Sequence, residues 1–348
     1  MQHLYKYTDK PELFLKDGYL RASQLSALND PLEASYNKAT LNKICEDYEL
    51  DAKVVLRGVD ELGVICLTES KDNLLMWSHY ANYHEGAVIE FKIETKYRTS
   101  CIGDLDLDET YKLLEKLDKK ERKAIIPAYK KKKIGLLSDL VVSGLSEGNE
   151  SHKRLFTGEC LPVRYRPSPI CHTTMSDSNL GDLDWTGKED RLSFELFRQK
   201  SDAWSYEKEH RITLKLAQAH RVQIDSQAEL DRLVHEFKMN EMFLEELNAI
   251  AKKKNDDPKI IFDLDEVPNK DDRMAYGRTL AKLSNNAKNL YLFRTDERHL
   301  WSISFGCKAS PEDINKWSIL AKARNKSIEE YKAEFLSNHY ALKFEKKA

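Results

Sequence analysis

The sequence predicts a mixed α+β protein built from short, separated strands with helices around and between them. Short apolar segments with the alternation typical of strands recur along the chain. Longer, charge-rich segments with helical patterns separate them. The chain contains neither a Gly-x-Gly-x-x-Gly motif nor a Walker phosphate loop, which argues against a doubly wound Rossmann or P-loop sheet.

The composition is that of a globular protein with balanced charge. Of the 348 residues, 41% are hydrophobic and 33% are charged, and the formal net charge is −2. A globally basic nucleic-acid-binding protein is therefore not expected, although a local basic face is compatible with these values. No apolar run is long enough to span a membrane, and the N-terminus lacks the apolar core of a signal peptide. The six cysteines are scattered singly, which favours a reducing cytoplasm and argues against a structural zinc site.

The elements follow from local patterns, taken in chain order. Strands are predicted at residues 4–7, 19–22, 63–68, 87–91, 161–165, 209–217 and 301–305. Helices are predicted at residues 12–16, 32–56, 108–138, 192–200, 226–254, 272–284 and 311–325. Pro11 and Gly18 bracket the first helix, and Ser310 caps the last. Residues 168–188 are predicted to form a long loop.

Residues 63–91 are the most informative segment. A short helix rich in polar aromatic side chains follows the strand, and it carries Trp77, Ser78, Tyr80 and His84 before Gly86 ends it. Such side chains suit a pocket that stacks a planar ring and binds hydroxyl groups. Trp77 and Tyr80 are three residues apart, so they can equally pack in the core from one face of an amphipathic helix.

A second candidate motif lies at the start of the strand predicted at 209–217. Glu207 and Glu209 are two residues apart, so in a strand both side chains point to one face. Two carboxylates on one face repel each other and raise a pKa unless a cation lies between them. This arrangement suits a site that binds sugar hydroxyls or stabilises developing positive charge. The alternative interpretation is a charged edge strand with a surface Glu–Arg pair.

The polar residues of the first two strands are a third candidate. Lys6, Tyr7, Arg21 and Ser23 can hydrogen-bond to a nucleotide or stack on it. A tyrosine-rich first strand is also typical of a half-buried sheet.

The turn at residues 28–33 is a fourth candidate. Asn29 and Asp30 can bond their own backbone, and Pro31 can open a helix. The turn is therefore either a ligand-binding loop or a structural turn and cap.

Other reactive residues favour no metal or nucleophile site. His79 and His84 do not have the spacing of a His-Glu-x-x-His helix, and no glutamate stands beside His79. Cys66 lies in the middle of a strand and is expected to be a core thiol. The basic residues at 119–123 and 130–133 are either a solvated helix face or a track for a phosphate backbone.

The order of these motifs resembles one bacterial family of proteins of unknown function. Its members carry Leu-Tyr-Lys-Tyr, Asn-Asp-Pro-x-Glu, Met-Trp-Ser-x-Tyr-Ala-x-x-His-x-Gly, Tyr-Glu-x-Glu-x-Arg and a late Phe-Gly. These motifs stand here at residues 4–7, 29–33, 76–86, 206–211 and 305–306. The resemblance spans about residues 1–325, with a divergent middle, and implies no function by itself.

A second resemblance, to ADP-ribosyltransferases that modify nucleic acid, implies a fold and an activity. It implies split mixed or antiparallel sheets that form a cleft within a single domain at residues 1–325. Helical insertions are expected at about 108–155 and 226–290, and a helical tail at 326–348. NAD is the implied substrate, with no metal.

The same resemblance implies roles for the candidate residues. Glu209 stabilises the oxocarbenium-like ribose, and Glu207 or His84 takes the acceptor's proton. The implied NAD-binding residues are Lys6, Tyr7, Arg21, Ser23, Asn29, Asp30, Trp77, Ser78 and Tyr80. Of these, Trp77 and Tyr80 are expected to line the nicotinamide pocket.

The implied function is an NAD-dependent ADP-ribosyltransferase toxin that modifies RNA or DNA in anti-phage defence. An antitoxin protein is the implied partner. Two alternatives stay open: a non-catalytic module that binds a nucleotide or nucleic acid, and an NAD hydrolase.

Overall fold

The computed structural model describes residues 2–33, 36, 38–93, 160–168, 188–253 and 257–347. These residues form a 13-stranded sheet with helices packed on it, and a separate 2-stranded sheet. The predicted α+β class is confirmed. The insertion predicted at 108–155 and the basic residues at 119–123 and 130–133 lie outside the described residues, as does the loop predicted at 168–188 except for its two end residues.

The strands are short, as predicted. They are β1 (Gln2–Thr8), β2 (Tyr19–Gln24), β3 (Leu62–Thr68), β4 (Ala87–Ile93), β5 (Cys160–Pro162), β6 (Arg164–Arg166), β7 (Gln199–Ser201), β8 (Glu209–Lys215), β9 (Arg221–Ile224), β10 (Ala251–Lys253), β11 (Ile260–Asp263), β12 (Leu290–Arg294), β13 (Leu300–Phe305), β14 (Glu329–Phe335) and β15 (Leu342–Lys346). The helices are α1 (Pro11–Asp17), α2 (Lys38–Asp47), α3 (Ala52–Asp60), α4 (Leu74–Tyr80), α5 (Lys188–Phe197), α6 (Gln227–His235), α7 (Glu241–Ala249), α8 (Lys270–Ala281) and α9 (Pro311–Arg324).

The large sheet branches at β3. Along one edge, β3 pairs with β8 over its whole length. The opposite edge is shared, because β2 pairs with residues 63 and 64 whereas β1 pairs with Thr68. One branch continues through β1, β4, β13, β14 and β15, and the other through β2, β12, β9, β11 and β10. Every pair in these branches is antiparallel except β13–β14.

Local sequence signals set the ends of several helices. Pro11 starts α1, and Gly18 ends it in the left-handed conformation with φ of 72°. The side chain of Asn73 accepts two backbone N–H bonds from the first turn of α4. Ser310 caps α9 as predicted, by accepting a bond from the backbone of Asp313.

Two glycines hold the turn between α4 and β4. Residues 82–84 have φ between 45° and 74°, so the chain makes a left-handed turn there. A Cβ on Gly86 would lie 2.2 Å from the carbonyl oxygen of Thr8, and one on Gly306 would lie 2.0 Å from that of His84. Only glycine permits these approaches, and Gly306 also donates its backbone N–H to the oxygen of Gly86.

Three apolar clusters form the core. The largest packs α1 and α6–α9 against both branches of the sheet. The second lies between α2, α3, α5 and β3. The third surrounds Trp77 and includes residues of β14 and β15. Among the described residues, each helix is too short or too polar to span a bilayer.

The predicted C-terminal helical tail at 326–348 is wrong. Its residues form β14 and β15, which extend the sheet beyond β13. The charge-rich sequence resembles an exposed helix, but the free edge of β13 offers backbone hydrogen bonds that a tail in solvent would lack.

Two long helices predicted from periodicity are each broken in two. The helix predicted at 32–56 is α2 and α3, separated by Glu49 with φ of 56° and restarted by the cap Asp51. The helix predicted at 226–254 is α6 and α7, separated by Lys238 with φ of 49° and restarted by the cap Asn240. The expected helical insertion at 226–290 also contains β10 and β11. Caps inside a periodic segment were the overlooked signal.

Candidate active site: a buried carboxylate cluster

The two glutamates of the Glu-Lys-Glu motif lie together, but not because they share a strand. Glu207 ends a 3₁₀ helix at Asp202–Glu207, whereas Glu209 is the first residue of β8. Lys208 between them adopts a left-handed conformation with φ of 45°. The turn brings both carboxylates close to one cationic side chain. The two carboxylates are therefore close together as predicted, but the prediction that both lie on one strand is wrong.

Lys200 on β7 is that cation. Its Nζ lies 2.7 Å from Oε2 of Glu207, 3.2 Å from Oε2 of Glu209 and 3.1 Å from Oε1 of Glu33. The ring of Trp204 lies over the ammonium, with 4.9 Å between Nζ and the ring centroid. Burial disfavours the charged lysine, but the three carboxylates outweigh burial and raise the pKa of Lys200.

Arg211 on β8 completes the charge balance. Its guanidinium donates to both oxygens of Glu209, from Nε at 2.7 Å and from Nη2 at 3.0 Å. It also donates to Glu33 and to the backbone oxygen of Phe197. We call Glu33, Lys200, Glu207, Glu209 and Arg211 the carboxylate cluster; all five are buried.

The cluster explains why the polar positions of β8 are hidden. The alternation of Arg211 and Thr213 with apolar residues predicts a solvent-facing side for this strand. Both are instead 1% exposed. The strand is paired on both edges, by β3 and β5, and Arg211 is bonded to Glu209 and Glu33 of the cluster.

Tyr80 joins the aromatic helix α4 to the cluster. Its hydroxyl donates to Oε1 of Glu207 at 2.6 Å. At the other end of α4, the amide of Asn73 donates to the backbone oxygen of Tyr206 at 2.8 Å. Burial and Glu207 raise the pKa of Tyr80, and a side-chain contact from Asn29 opposes that shift. Two motifs far apart in sequence therefore meet at one place.

The two motif glutamates have opposite pKa shifts. Burial raises the pKa of Glu207, and its contacts with Lys200 and Tyr80 only partly offset this. Burial also opposes ionisation of Glu209, but Arg211 and Lys200 outweigh it and lower the pKa of Glu209 to about 2. Neighbouring carboxylates whose pKa values are pushed apart are typical of an acid–base pair with divided roles.

Backbone bonds from neighbouring strands fix the position of the carboxylates. Thr68 Oγ1 donates to the backbone oxygen of Glu207 at 2.5 Å. The backbone N–H of Glu69 donates to the oxygen of Lys208 at 3.3 Å. The N–H of Glu209 donates to the hydroxyl of Tyr165 on β6 at 2.8 Å. The ends of β3 and β6 thus hold the Glu-Lys-Glu turn from two sides.

A depression of about 440 Å³ borders the cluster. We call it the acidic depression; its lining residues are Leu25, Ser26, Leu28, Asn29, Asp30, Pro31 and Glu33. Glu33 belongs to both features, and Asn29 reaches Tyr80. Its volume falls within the roughly 300–1,000 Å³ of small-molecule sites. Asn29 and Asp30, both predicted to bind the nucleotide, therefore line a depression that they share with Glu33 of the cluster.

The aromatic residues predicted for the nicotinamide pocket and acceptor chemistry are placed differently. Trp77 is 0% exposed and its indole N–H donates to the oxygen of Lys71 at 2.8 Å, so it is a core residue and not a pocket wall. Tyr7 packs edge-on against Trp77 and donates to the oxygen of Ser70. His84 stacks on Trp77 and packs at a tilt against Phe335. None of these contacts reaches the carboxylate cluster.

The remaining predicted residues have structural contacts. Lys6 Nζ donates to the backbone oxygen of Cys66 at 3.1 Å, in the gap where β1 and β2 part along β3. Arg21 donates to the oxygen of Ala287, away from the cluster. Ser23 lies in the β2–β3 pairing. Ser78 contributes its backbone oxygen to the turn after α4. Cys66 is a core thiol as predicted, and burial raises its pKa.

Sequence reasoning missed three members of the carboxylate cluster. Glu33 and Arg211 stand in two of the motifs, as the last residue of Asn-Asp-Pro-x-Glu and of Tyr-Glu-x-Glu-x-Arg, which was a usable signal. Lys200 stands in no motif. Only the physical need for a cation between two close carboxylates pointed to such a residue.

In a comparison with known proteins, one family model matches part of the chain. Residues 76–212 match the family described as "Protein of unknown function (DUF2971)". The matched segment begins within α4 and ends within β8, and it contains Tyr80 and four of the five residues of the carboxylate cluster. The match agrees with the expected resemblance to a family of unknown function. No curated protein and no solved structure matches the chain.

Proposed function

We propose that the chain is an NAD-dependent ADP-ribosyltransferase. The observation that carries the proposal is that Glu207 and Glu209 share a buried cluster and have pKa values shifted in opposite directions. Tyr80 connects this cluster to the aromatic helix α4. A glycosyl transfer needs one carboxylate that stays ionised and a second group that exchanges a proton. The branching of the sheet at β3 is compatible with the split-sheet cleft expected of such enzymes.

Glu209 is the charge-stabilising group. With a lowered pKa it is ionised at neutral pH, and it faces positive charge as the bond between the ribose C1′ and the nicotinamide nitrogen breaks. Nicotinamide leaves with the electron pair of that bond. Arg211 and Lys200 hold both oxygens of Glu209 in place. The thiol of Cys66 also contacts Glu209, and it is a weak donor that a ribose hydroxyl can replace.

Glu207 is the proton acceptor. A nucleophilic nitrogen or oxygen of the acceptor attacks C1′ and gives its proton to this carboxylate. A raised pKa suits that role, because general bases work best with pKa values near the working pH. Tyr80 orients the carboxylate through its hydrogen bond. His84, the other base considered, has no such contact and is assigned to packing.

RNA or DNA is the proposed acceptor, and a second depression supports this choice. It measures about 270 Å³ and lies between the end of α9 and the strands β14 and β15. Its charged lining residues are Lys322, Lys326, Lys346, Lys347, Glu329 and Glu330. The lysines exceed the glutamates, which leaves net positive charge for a phosphate backbone.

The proposed cellular role is that of a toxin in anti-phage defence, held in check by an antitoxin protein. Induced expression of the wild-type chain is expected to arrest bacterial growth. Expression of the Glu209→Gln variant to the same level is expected not to. Equal growth arrest by the wild-type and Glu209→Gln chains would show that toxicity does not depend on the transferase reaction.

Incubation with radiolabelled NAD tests the activity. Purified chain is mixed with labelled NAD and, in separate reactions, with RNA, DNA or cell protein. Label on RNA or DNA is the expected result. Label on protein alone would refute the proposed acceptor, and free ADP-ribose alone would identify an NAD hydrolase.

Matched variants assign the chemistry. Glu209→Gln and Glu207→Gln are each expected to lower the rate by about 100-fold or more, the loss typical of removing one electrostatic or proton-transfer group. Glu245→Gln on exposed α7 is the control for a lost carboxylate and is expected to keep the wild-type rate. Transfer by Glu209→Gln at the wild-type rate would show that the role is misassigned.

A non-catalytic nucleotide-binding module is the second candidate. The observation in its favour is that Arg211 and Lys200 already occupy both oxygens of Glu209. A carboxylate so engaged can serve purely to hold the fold. Saturable NAD binding without label on any pool and without free nicotinamide would support this reading.

A further inference from the structure

Asp30, which lines the acidic depression, has a buried carboxylate oxygen without a hydrogen-bond partner among the described residues. Asp30 is 7% exposed, and its Oδ1 accepts the backbone N–H of Leu32 at 2.9 Å. Its Oδ2 has no hydrogen-bond partner among the described residues. A buried carboxylate with an unpaired oxygen is costly, so a positive charge placed in the depression beside Asp30 is favoured.

The charged residues around the depression determine whether it favours a cation or an anion. Glu33 lines the same depression and belongs to the carboxylate cluster, in which three carboxylates face two cations. Asp30 adds a further negative charge at the lining. The depression therefore attracts a cation and repels phosphate groups.

The walls of the depression select the shape of the ligand. Leu25, Leu28 and Pro31 supply apolar surface beside the acidic residues. Apolar walls with a few polar groups are typical of sites that enclose a ring. A small, flat and positively charged ring can pack against the apolar walls and also interact favourably with the acidic residues.

We infer that the acidic depression binds the nicotinamide ring of NAD while the ring is a pyridinium cation. This inference rests on the proposed function and assigns the ring to a place other than the one predicted around Trp77. In the substrate, the ring nitrogen is bonded to the ribose and the ring is positively charged. When that bond breaks, nicotinamide leaves neutral, so the depression binds the product less well than the substrate ring.

Binding of ring fragments tests the inference without any transfer reaction. Titration calorimetry compares 1-methylnicotinamide, which is cationic, with nicotinamide, which is neutral and nearly the same shape. The wild-type chain is expected to bind the cation about tenfold more tightly, since an adjacent opposite charge is worth at least that factor. NAD and NADH, which differ in the charge of the ring, are expected to show the same preference.

Asp30→Asn is the decisive variant. Asparagine can keep the bond to Leu32 through its Oδ1, and it replaces the charged Oδ2 by a neutral NH₂ group of similar size. The preference for the cation is expected to fall by about tenfold, with little change for nicotinamide or NADH. Asp271→Asn on the exposed first turn of α8 is the matched control and is expected to leave both affinities unchanged.

A second variant keeps the inference testable if Asp30→Asn fails to fold. Leu28→Lys places a positive charge at the half-exposed wall and is expected to weaken 1-methylnicotinamide more than nicotinamide. Transfer activity with no cation preference in the wild-type chain, or with a preference that survives Asp30→Asn, would overturn this inference and leave the proposed function standing. Cation preference without any transfer would support the depression and refute the transferase.

Discussion

Replacing the two motif glutamates one at a time should change the pH dependence of stability in opposite directions. Glu209 has a lowered pKa in the folded chain, and Glu207 has a raised one. The perturbations are Glu209→Gln and Glu207→Gln, which keep the side-chain shape and remove the ionisation.

The sign for Glu209 follows from linkage between protonation and folding. A pKa lowered from 4.5 to about 2 stabilises the folded chain above pH 4.5, by about 3 kcal/mol at about 1.4 kcal/mol per pKa unit. That contribution is lost as the pH falls, by about 1 kcal/mol at pH 4 and about 2 kcal/mol at pH 3. Glu209→Gln should remove this slope. At pH 7 it should also cost about 3–5 kcal/mol, because Arg211 and Lys200 lose a buried partner.

Glu207 has the opposite sign. Its raised pKa means that ionisation costs stability as the pH rises from 4.5 through the folded value. The contribution of Glu207 therefore increases the free energy of unfolding of the wild-type chain as the pH falls. Glu207→Gln should remove this increase. Compared with wild type, the two variants should tilt the stability curve in opposite directions.

Urea unfolding followed by tryptophan fluorescence at pH 7, 5, 4 and 3 measures both curves. Glu245→Gln, an exposed carboxylate on α7, controls for the loss of one negative charge. The reasoning fails if Glu209→Gln keeps the wild-type loss between pH 5 and pH 3. It also fails if both variants tilt the curve the same way.

Three further predictions address single contacts. Tyr80→Phe removes a donor that lowers the pKa of Glu207, so the acid limb of the kcat/KM profile should move to higher pH; an unmoved limb would exclude Glu207 as the base. His84→Asn should leave the transfer rate within about twofold of wild type, because asparagine tolerates the positive φ of this position and the ring contacts only packing residues; a large loss would return His84 to the mechanism. Gly306→Ala should lower stability by about 1–3 kcal/mol or more in thermal unfolding, since its Cβ would meet a backbone oxygen at 2.0 Å, and an unchanged melting temperature would contradict the close approach.

Local chemistry made part of the fold predictable. Pro11, Gly18 and Ser310 act within a few residues of the ends they set, and the structure places those ends as expected. The breaks at Glu49 and Lys238 were missed because hydrophobic periodicity continues across them. The tail at 326–348 was missed because its strands depend on the edge of β13, which no local pattern reveals.

The candidate site was predictable only where its residues stand in motifs. The Glu-x-Glu spacing located two carboxylates, and electrostatics required a cation between them. That the cation is Lys200 depends on how β7 reaches the start of β8, which the sequence does not encode locally. Trp77 was misplaced for a related reason: a buried indole and a ligand-stacking indole have the same local sequence.

The shared edge of β3 gives distant parts of the chain a mechanical link to the carboxylates. Both arms of the sheet are anchored on this one strand, whose opposite side is bonded along its length to the strand that bears Glu209 and Arg211. Between the two pairings, Lys6 on β1 donates to the backbone oxygen of Cys66 on β3. A protein that binds the hairpin β14–β15 and separates the two branches would therefore distort the carboxylate cluster without contacting it.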